Sequence, residues 1–409
     1  MSAGIPPGVM AADGLLGAVA AAILGAGLGR LLSVGIGPLL DAGAFADDGR
    51  ARTAGGGAVK RRWMEGTAVG VAAALWWWEV CARGLGPEGI AVTASAAGGD
   101  VGLARCAAHI VLAFLLVAAA WIDIRHRVIP DLITVPGVLM GLVAVWLDPE
   151  VLLPISAEVP RSFAPPLVSA DVLGWHGGVR SPLPMAIGGA PDFPGLALAV
   201  TIFSVWWFVC TAPLLTPPPT GSAGSPGRPG HRSGFPLGAW LQEPRNLLLI
   251  GGLGGLIMAW WAAGDRYVAL ESSLVGIAVS GGLVWAVREG ASRALGREAM
   301  GLGDVTLMAM VGAWVGWQAG VLAFFLAAFI GLAHGLVQLA RHHENELPYG
   351  PSLCVASGIV VLAWKYVWGW AGETLSQPLL LAGVLSAVVV LTAITLSVWR
   401  RLRSGALPE

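Results

Sequence analysis

The stretch Met300-Gly-Leu-Gly-Asp304-Val-Thr-Leu-Met-Ala-Met-Val-Gly-Ala-Trp-Val-Gly316 sets one carboxylate between a flexible Gly301-Leu302-Gly303 and a long apolar run. An ionisable residue beside a membrane segment is expensive, so Asp304 is a functional candidate. It is equally a candidate helix N-cap, a position that Asp favours. A second carboxylate able to meet Asp304 would separate the two readings.

The surrounding composition fixes the class. The chain has 409 residues, 56% hydrophobic and only 12% charged, with mean hydropathy +0.73. Soluble domains carry about twice that share of charge. The expected fold is all-α, a polytopic transmembrane helix bundle embedded in a lipid bilayer. Spans of roughly 17–25 apolar residues are expected near 14–40, 66–83, 101–122, 132–147, 195–215, 246–263, 268–287, 303–317, 320–340, 351–369 and 378–399, about eleven in all. The N-terminal MSAGIPPGVMAADG has no positive charge, so the first segment is expected to be a retained span rather than a cleaved signal. Residues 216–236 form a Pro/Gly/Ser tract that cannot build a core.

The net charge of −1 and the lack of a basic stripe argue against a nucleic-acid partner. Cys81, Cys106, Cys210 and Cys354 are dispersed, with no CxxC, so neither a thiolate zinc site nor a disulfide framework is expected. His342-His343-Glu344 is a poor metal motif, because adjacent helical side chains point apart. No metal or cofactor is expected. His109 and His334, inside spans, read as packed, hydrogen-bonded histidines. Gly251/Gly255, Gly312/Gly316 and Gly331/Gly335 have the spacing of small-residue helix contacts. Nothing in the sequence fixes an oligomeric state.

Orientation follows from the positive-inside rule. With the 123–131 loop in the cytoplasm and the spans alternating outward, 17 of the 24 Lys and Arg fall inside. Three (Arg161, Arg180, Arg266) fall outside, and four (Arg30, Arg83, Arg105, Lys365) fall in or at the ends of spans. This places the protein in the plasma (inner) membrane, N-terminus outside and C-terminus cytoplasmic. Arg125, His126 and Arg127 then serve as a cytoplasmic anchor.

The same count puts a second carboxylate on the inner face. Asp123, in Trp121-Ile-Asp-Ile-Arg-His-Arg-Val-Ile-Pro130-Asp131, lies 181 residues before Asp304. Both are expected to line one water-accessible cleft. Two close carboxylates share a proton. The ionised one can activate water while the neutral one donates to a scissile carbonyl, which is the chemistry of an aspartyl protease. The glycines before Asp304 would let a substrate strand come close. Asp131 reads as the N-cap of the 132–147 span.

Three stretches together resemble the type IV prepilin leader peptidases, membrane aspartyl proteases of the GxGD type. They are Asp123-Ile-Arg-His-Arg-Val-Ile-Pro130-Asp131-Leu-Ile-Thr-Val-Pro136, then Gly301-Leu-Gly303-Asp304-Val-Thr-Leu-Met-Ala309 with Gly312-Ala-Trp-Val-Gly316-Trp, and finally Leu347-Pro348-Tyr349-Gly350-Pro351. The resemblance implies Asp123 and Asp304 as the catalytic pair. Gly301, Gly303, Thr306, Pro130, Asp131, Pro348, Gly350 and Pro351 would support substrate or structure. It implies prepilin or pseudopilin precursors as partners, cut at the cytoplasmic membrane face. It gives a core over 101–370 with insertions at 148–194 and 216–245, N-terminal spans and a loop over 1–100, and a C-terminal span with a basic tail over 371–409.

Two departures stand out. Thr306 replaces the family's usual Lys, and the 41–65 loop has no cysteine where long members carry paired CxxC motifs; the family's N-methyltransferase activity is therefore not carried over. Two alternatives of other classes remain: a catalytically silent scaffold of a pilus or secretion machine, for which Thr306 speaks, and an ion-coupled transporter. The lack of paired internal repeats weighs against the transporter.

Overall fold

The computed structural model describes residues 19, 21–30, 69–75, 77, 79, 101–157, 167–170, 193–211, 244–262, 265–296, 298–342, 349–375 and 378–405. Ten helices follow residue 100 among them: α1 (Val101–His126), α2 (Asp131–Leu147), α3 (Phe193–Thr211), α4 (Pro244–Ala262), α5 (Asp265–Leu295), α6 (Leu302–Val315), α7 (Trp317–His342), α8 (Gly350–Leu362), α9 (Trp364–Leu375) and α10 (Pro378–Gly405). The fold is all-α as expected. A small antiparallel hairpin, β1 (Pro154–Ala157) with β2 (Leu167–Ala170), lies in the loop after α2 and pairs Pro154 with Ala170.

At the centre is α6, the helix of the opening stretch. Its sequence is apolar on every side, the pattern of a helix with no solvent face. Every residue from Asp304 to Val315 is buried. Its neighbours are α5, α2, α7, α8 and α1. At ~1.5 Å per residue, fourteen residues rise about 21 Å, short of the ~30 Å hydrocarbon thickness. The helix is sheathed by protein instead of meeting lipid. Gly316, at φ 85°, ends it, and its N–H returns to the Gly312 carbonyl at 3.0 Å.

Close approach of backbones holds α6 in place. A Cβ on Gly276 of α5 would strike the Gly312 carbonyl oxygen, and a Cβ on Gly312 would strike that of Gly276. The helices therefore touch main chain to main chain, which only glycine permits at this crossing. Ser273 donates from Oγ to the Ala313 carbonyl at 2.6 Å, supplying a partner near the end of α6. On the opposite flank, a Cβ on Gly137 of α2 would run into Met310 and one on Gly141 into the Trp314 indole. The Trp314 indole N–H donates to the Gly137 carbonyl at 2.9 Å.

Of the glycine pairs expected at helix contacts, Gly312 meets another helix's backbone, and its partner Gly276 lies outside those pairs. Gly251 and Gly255 face open space, and Gly316 is the helix terminator. A Cβ on Gly331 would meet the Tyr349 ring at 3.4 Å.

Span lengths also differ from expectation. Among the described residues, α1, α5 and α7 contain stretches long and apolar enough to cross a membrane. The 351–369 segment is broken into α8 and α9, bent by 86°, and would make a fourth span if counted as one. α2, α3, α4 and α6 are apolar but shorter, and a total of about eleven is not confirmed. Length fails as a guide here because helices sheathed by protein need not match the bilayer. The expected spans at 14–40 and 66–83 lie largely outside the described residues, as do most of the 148–194 and 216–245 insertions and all of the 41–65 loop.

A second, smaller cluster joins Ala21, Ala72 and Leu75 to Cys106, Ile110 and Phe114 of α1. Beside it, His109 Nδ1 and Glu79 Oε1 lie 2.7 Å apart, fully buried. This is the hydrogen-bonded histidine that the sequence suggests. His334, by contrast, is exposed on α7. At the other end of α1 the Arg125 guanidinium stacks over Trp121, 5.0 Å from the ring centroid.

Gly276→Val and Gly312→Val are each expected to lower the thermal midpoint of the detergent-purified protein sharply. The cost should exceed the ~1–3 kcal/mol of ordinary overpacking, because the obstructing atoms are backbone. Gly282→Ala, where a Cβ meets nothing within 4 Å, should unfold within a degree or two of wild type by the usual tolerance of open sites.

Candidate active site

Asp123 sits in the last turn of α1, and Asp304 is the third residue of α6. The two helices meet at one end of the bundle, and the carboxylates come within electrostatic reach of each other there. Both are buried, 6% and 8% exposed, so neither is an ordinary surface acid. The Gly350 backbone N–H donates to the Asp123 carboxylate. Gly350 opens α8, so Asp123 lies against a helix N-terminus, where unpaired N–H groups and the helix dipole favour an anion. A Cβ on Gly350 would collide with the Asp123 carboxylate, its Cγ lying 3.0 Å away, and with the Ile129 side chain. Glycine is required here by space. Pro351 follows in the first turn, where its missing N–H costs nothing.

The chain from α1 to α2 folds over this end. Arg127 takes a left-handed φ of 55°, and its N–H returns to the Asp123 carbonyl at 2.8 Å, closing α1 just beyond the carboxylate. Ile129 then turns inward, 6% exposed, against Gly303. A Cβ on Gly303 would approach Ile129 Cβ to 2.9 Å and its carbonyl oxygen to 3.0 Å. Gly303 is thus filled by the chain itself, contrary to the idea that both glycines admit substrate. Gly301 is the open one: it is exposed, and the nearest atoms to its would-be Cβ are Gly303 N at 3.9 Å and Asp304 Oδ2 at 4.0 Å.

Neither carboxylate proposed as an N-cap takes that place. The N-cap of α6 is Gly301 and that of α2 is Pro130, both extended and without a side-chain cap bond. Asp304 is held inward by burial of its whole helix. Asp131, exposed in the first turn of α2, engages the Thr306 hydroxyl instead. Thr306 also bonds the Gly303 carbonyl at 3.1 Å and is 1% exposed. The residue that replaces the expected Lys therefore ties the start of α6 to the start of α2 and brings no charge.

Several contributors have no motif to announce them. Arg288 of α5 donates from Nε to the Met300 carbonyl at 2.9 Å and pairs with Glu298. Ser292 Oγ accepts the Ala299 N–H at 3.0 Å. Together they pin the loop that delivers Asp304. Cys354 of α8, buried, lies within reach of both carboxylates and of the Ala120 backbone. Tyr349 stands beside Asp304; burial first, then that charge, pushes its phenol above its usual range. An Arg reaching a loop carbonyl ten or more residues away has no local pattern to reveal it. Pro348, His343 and Glu344 lie outside the described residues. No metal-binding group of three or more His, Cys, Asp or Glu occurs among the described residues.

Residues 244–336, which contain α4, α5, α6 and most of α7, match the model of the type IV leader peptidase family. Over these helices the chain is similar to that family. Proteins named prepilin leader peptidase/N-methyltransferase align with it: 35% identical over 113 residues in Aeromonas salmonicida strain A449, 37% over 101 in Stutzerimonas stutzeri and 38% over 111 in Dickeya chrysanthemi. These alignments cover 27%, 24% and 26% of this chain, and 38%, 35% and 38% of the relatives. The chain thus spans under two fifths of the length of these three relatives. No solved structure matches it.

Arg288→Gln is expected to free the loop before Asp304. Amide hydrogen exchange of residues 298–303 should speed up by about tenfold or more, the equivalent of one lost charged hydrogen bond, while exchange in the middle of α6 stays unchanged.

Proposed function

We propose that the chain is an integral membrane aspartyl endopeptidase that removes the leader from type IV prepilin-like precursors at the cytoplasmic membrane face. The observation that carries this is the meeting of two buried carboxylates, Asp123 and Asp304, from segments 181 residues apart. The family match over α4–α7 and the printed names of the relatives supply the substrate class.

The pair holds one proton between its two carboxyl groups. The Gly350 N–H at the start of α8 gives the negative charge a place on Asp123. The ionised carboxylate takes a proton from water as the water oxygen attacks the scissile carbonyl carbon. The neutral carboxyl donates its proton to the carbonyl oxygen, giving a neutral tetrahedral diol. Collapse breaks the C–N bond, the amine nitrogen receives a proton, and the pair returns to its one-proton state. The open face at Gly301 is the side from which a substrate strand reaches Asp304.

Gly301 and Gly350 support this site through space, and Thr306, Asp131, Pro130, Gly303 and Pro351 through the helix starts and turns around it. The sidedness follows the Lys and Arg distribution: N-terminus outside, C-terminus cytoplasmic. The relatives' names also carry N-methyltransferase, so they lend no support to setting that activity aside. The proposal concerns the peptidase step alone.

The test is co-expression with a pilin-like precursor of the same genome, following leader loss by mass. Asp123→Asn and Asp304→Asn should each slow cleavage by about 10²-fold or more, the usual worth of a general acid or base, with thermal stability retained. Wild type that cuts nothing, or a variant that cuts at full rate, overturns the proposal. A second outcome concerns pH. Activity should fall at low pH, where both carboxyls are protonated, and at high pH, where both are ionised, giving a bell-shaped profile.

A further inference from the structure

The chain of α8 leaves the carboxylate end of the bundle at Gly350 and rises about 20 Å in thirteen residues. At Ala363 it turns by 86° into α9. No glycine or proline marks the turn. Ala363 sits at φ −96°, ψ 11°, and its carbonyl accepts the N–H groups of Tyr366 at 2.9 Å and Val367 at 3.0 Å, which starts α9. α9 then runs across the bundle end opposite the carboxylates and touches α10 and strand β1 of the hairpin.

Its two faces are unlike those of a water-soluble surface helix. Trp364, Trp368 and Ala371 point into the core, with the two indole centroids 5.5 Å apart. The other face carries Tyr366 and Trp370, four residues apart, which are 60% and 83% exposed. A polar residue is expected on such a face in water, and here the most exposed of the helix's described side chains is an indole. Lys365 Nζ lies 5.7 Å over the Tyr366 ring, on the flank between the two faces. Tyr, Trp and a Lys able to extend its ammonium outward are the residues that settle where hydrocarbon gives way to headgroups.

We infer that α9 is an interfacial helix: its Tyr366–Trp370 face lies in the headgroup/acyl boundary of the leaflet opposite the Asp123–Asp304 end, with lipid as its occupant. A helix turned nearly perpendicular to a membrane-embedded one, at that helix's far end, lies along the boundary by geometry, and the exposed aromatics match the chemistry found there. The inference rests on the chain's being membrane-embedded and is independent of the peptidase reading.

The test uses the full chain in vesicles of phosphatidylethanolamine and phosphatidylglycerol. An environment-sensitive fluorophore is attached at Trp370→Cys, and separately at Tyr366→Cys, in a background with the four native cysteines replaced by alanine. If that background does not fold, the native-cysteine chain serves, with the signal of the labelled parent subtracted. Phe329→Cys, on the exposed middle of α7, is the reference. Headgroup-attached quenchers should act more strongly than chain-terminal ones at 366 and 370, corresponding to a depth of about 5–10 Å, and the order should invert at 329. Quenching by aqueous iodide alone at 366 and 370 overturns the inference, as does stronger quenching from the chain terminus. Protection from every quencher overturns it too, since it means that another protein surface or a second copy covers the face. A label at 329 that reaches only water removes the membrane embedding itself and is thereby told apart from failure of α9 alone.

Discussion

The contact between Gly276 and Gly312 is the constraint on which the rest of the bundle depends. Lipid chains are as apolar as the helices, so burial of apolar surface gives helices in a membrane little reason to associate. Close backbone approach supplies dispersion contacts instead, and it is available only where neither helix carries a Cβ. Here it draws α5 against α6 so tightly that carbonyl oxygens occupy the places of side chains. With Met310 and Trp314 seated over Gly137 and Gly141 on the other flank, α6 is walled in. A helix so enclosed can be short, and its short length leaves its first turn, with Asp304, at the end of the bundle facing Asp123.

The site is then a matter of where helix ends fall. Asp123 belongs to the end of α1, Asp304 to the beginning of α6, and Gly350 to the beginning of α8. One N–H of α8 is given to one carboxylate, and the absence of a Cβ at Gly350 makes room for it. The loops that connect these ends are fixed by longer reaches: Ile129 over Gly303, Thr306 to Asp131, and Arg288 to the carbonyl of Met300. Flexibility at the Gly-Leu-Gly is therefore unequal. Gly303 is closed by packing, and Gly301 stays open beside Asp304.

The bundle has two chemically different ends. One gathers the carboxylates, the basic turn after α1 and the anchored loop before α6. The other carries α9, with indoles on both its faces. His109 and Glu79 form a third polar spot, buried between α1 and an N-terminal helix. A buried hydrogen-bonded pair of that kind specifies where the helix docks, because a partner shifted by a turn would leave both groups unpaired.

The sequence by itself determined the class of fold and the identity of the two carboxylates. Low charge and long apolar runs leave a membrane bundle as the form that satisfies every backbone group. The bias of Lys and Arg put Asp123 and Asp304 on one face before any contact was known. Tertiary structure decided what local pattern cannot encode. Hydropathy cannot tell a helix sheathed in protein from one facing lipid, so the count of about eleven spans is not confirmed and α6 looked like a marginal span. Glycine spacing within a helix does not name its partner, so Gly276 went unmarked while Gly251 and Gly255, which touch nothing, were marked. Cap propensity favoured Asp at both helix starts, yet burial of α6 and the Thr306 hydroxyl drew Asp304 and Asp131 elsewhere. The turn at Ala363 has no breaker residue at all; packing of Trp364 and Trp368 into the core sets the direction of the chain there, and that is a property of the assembled bundle.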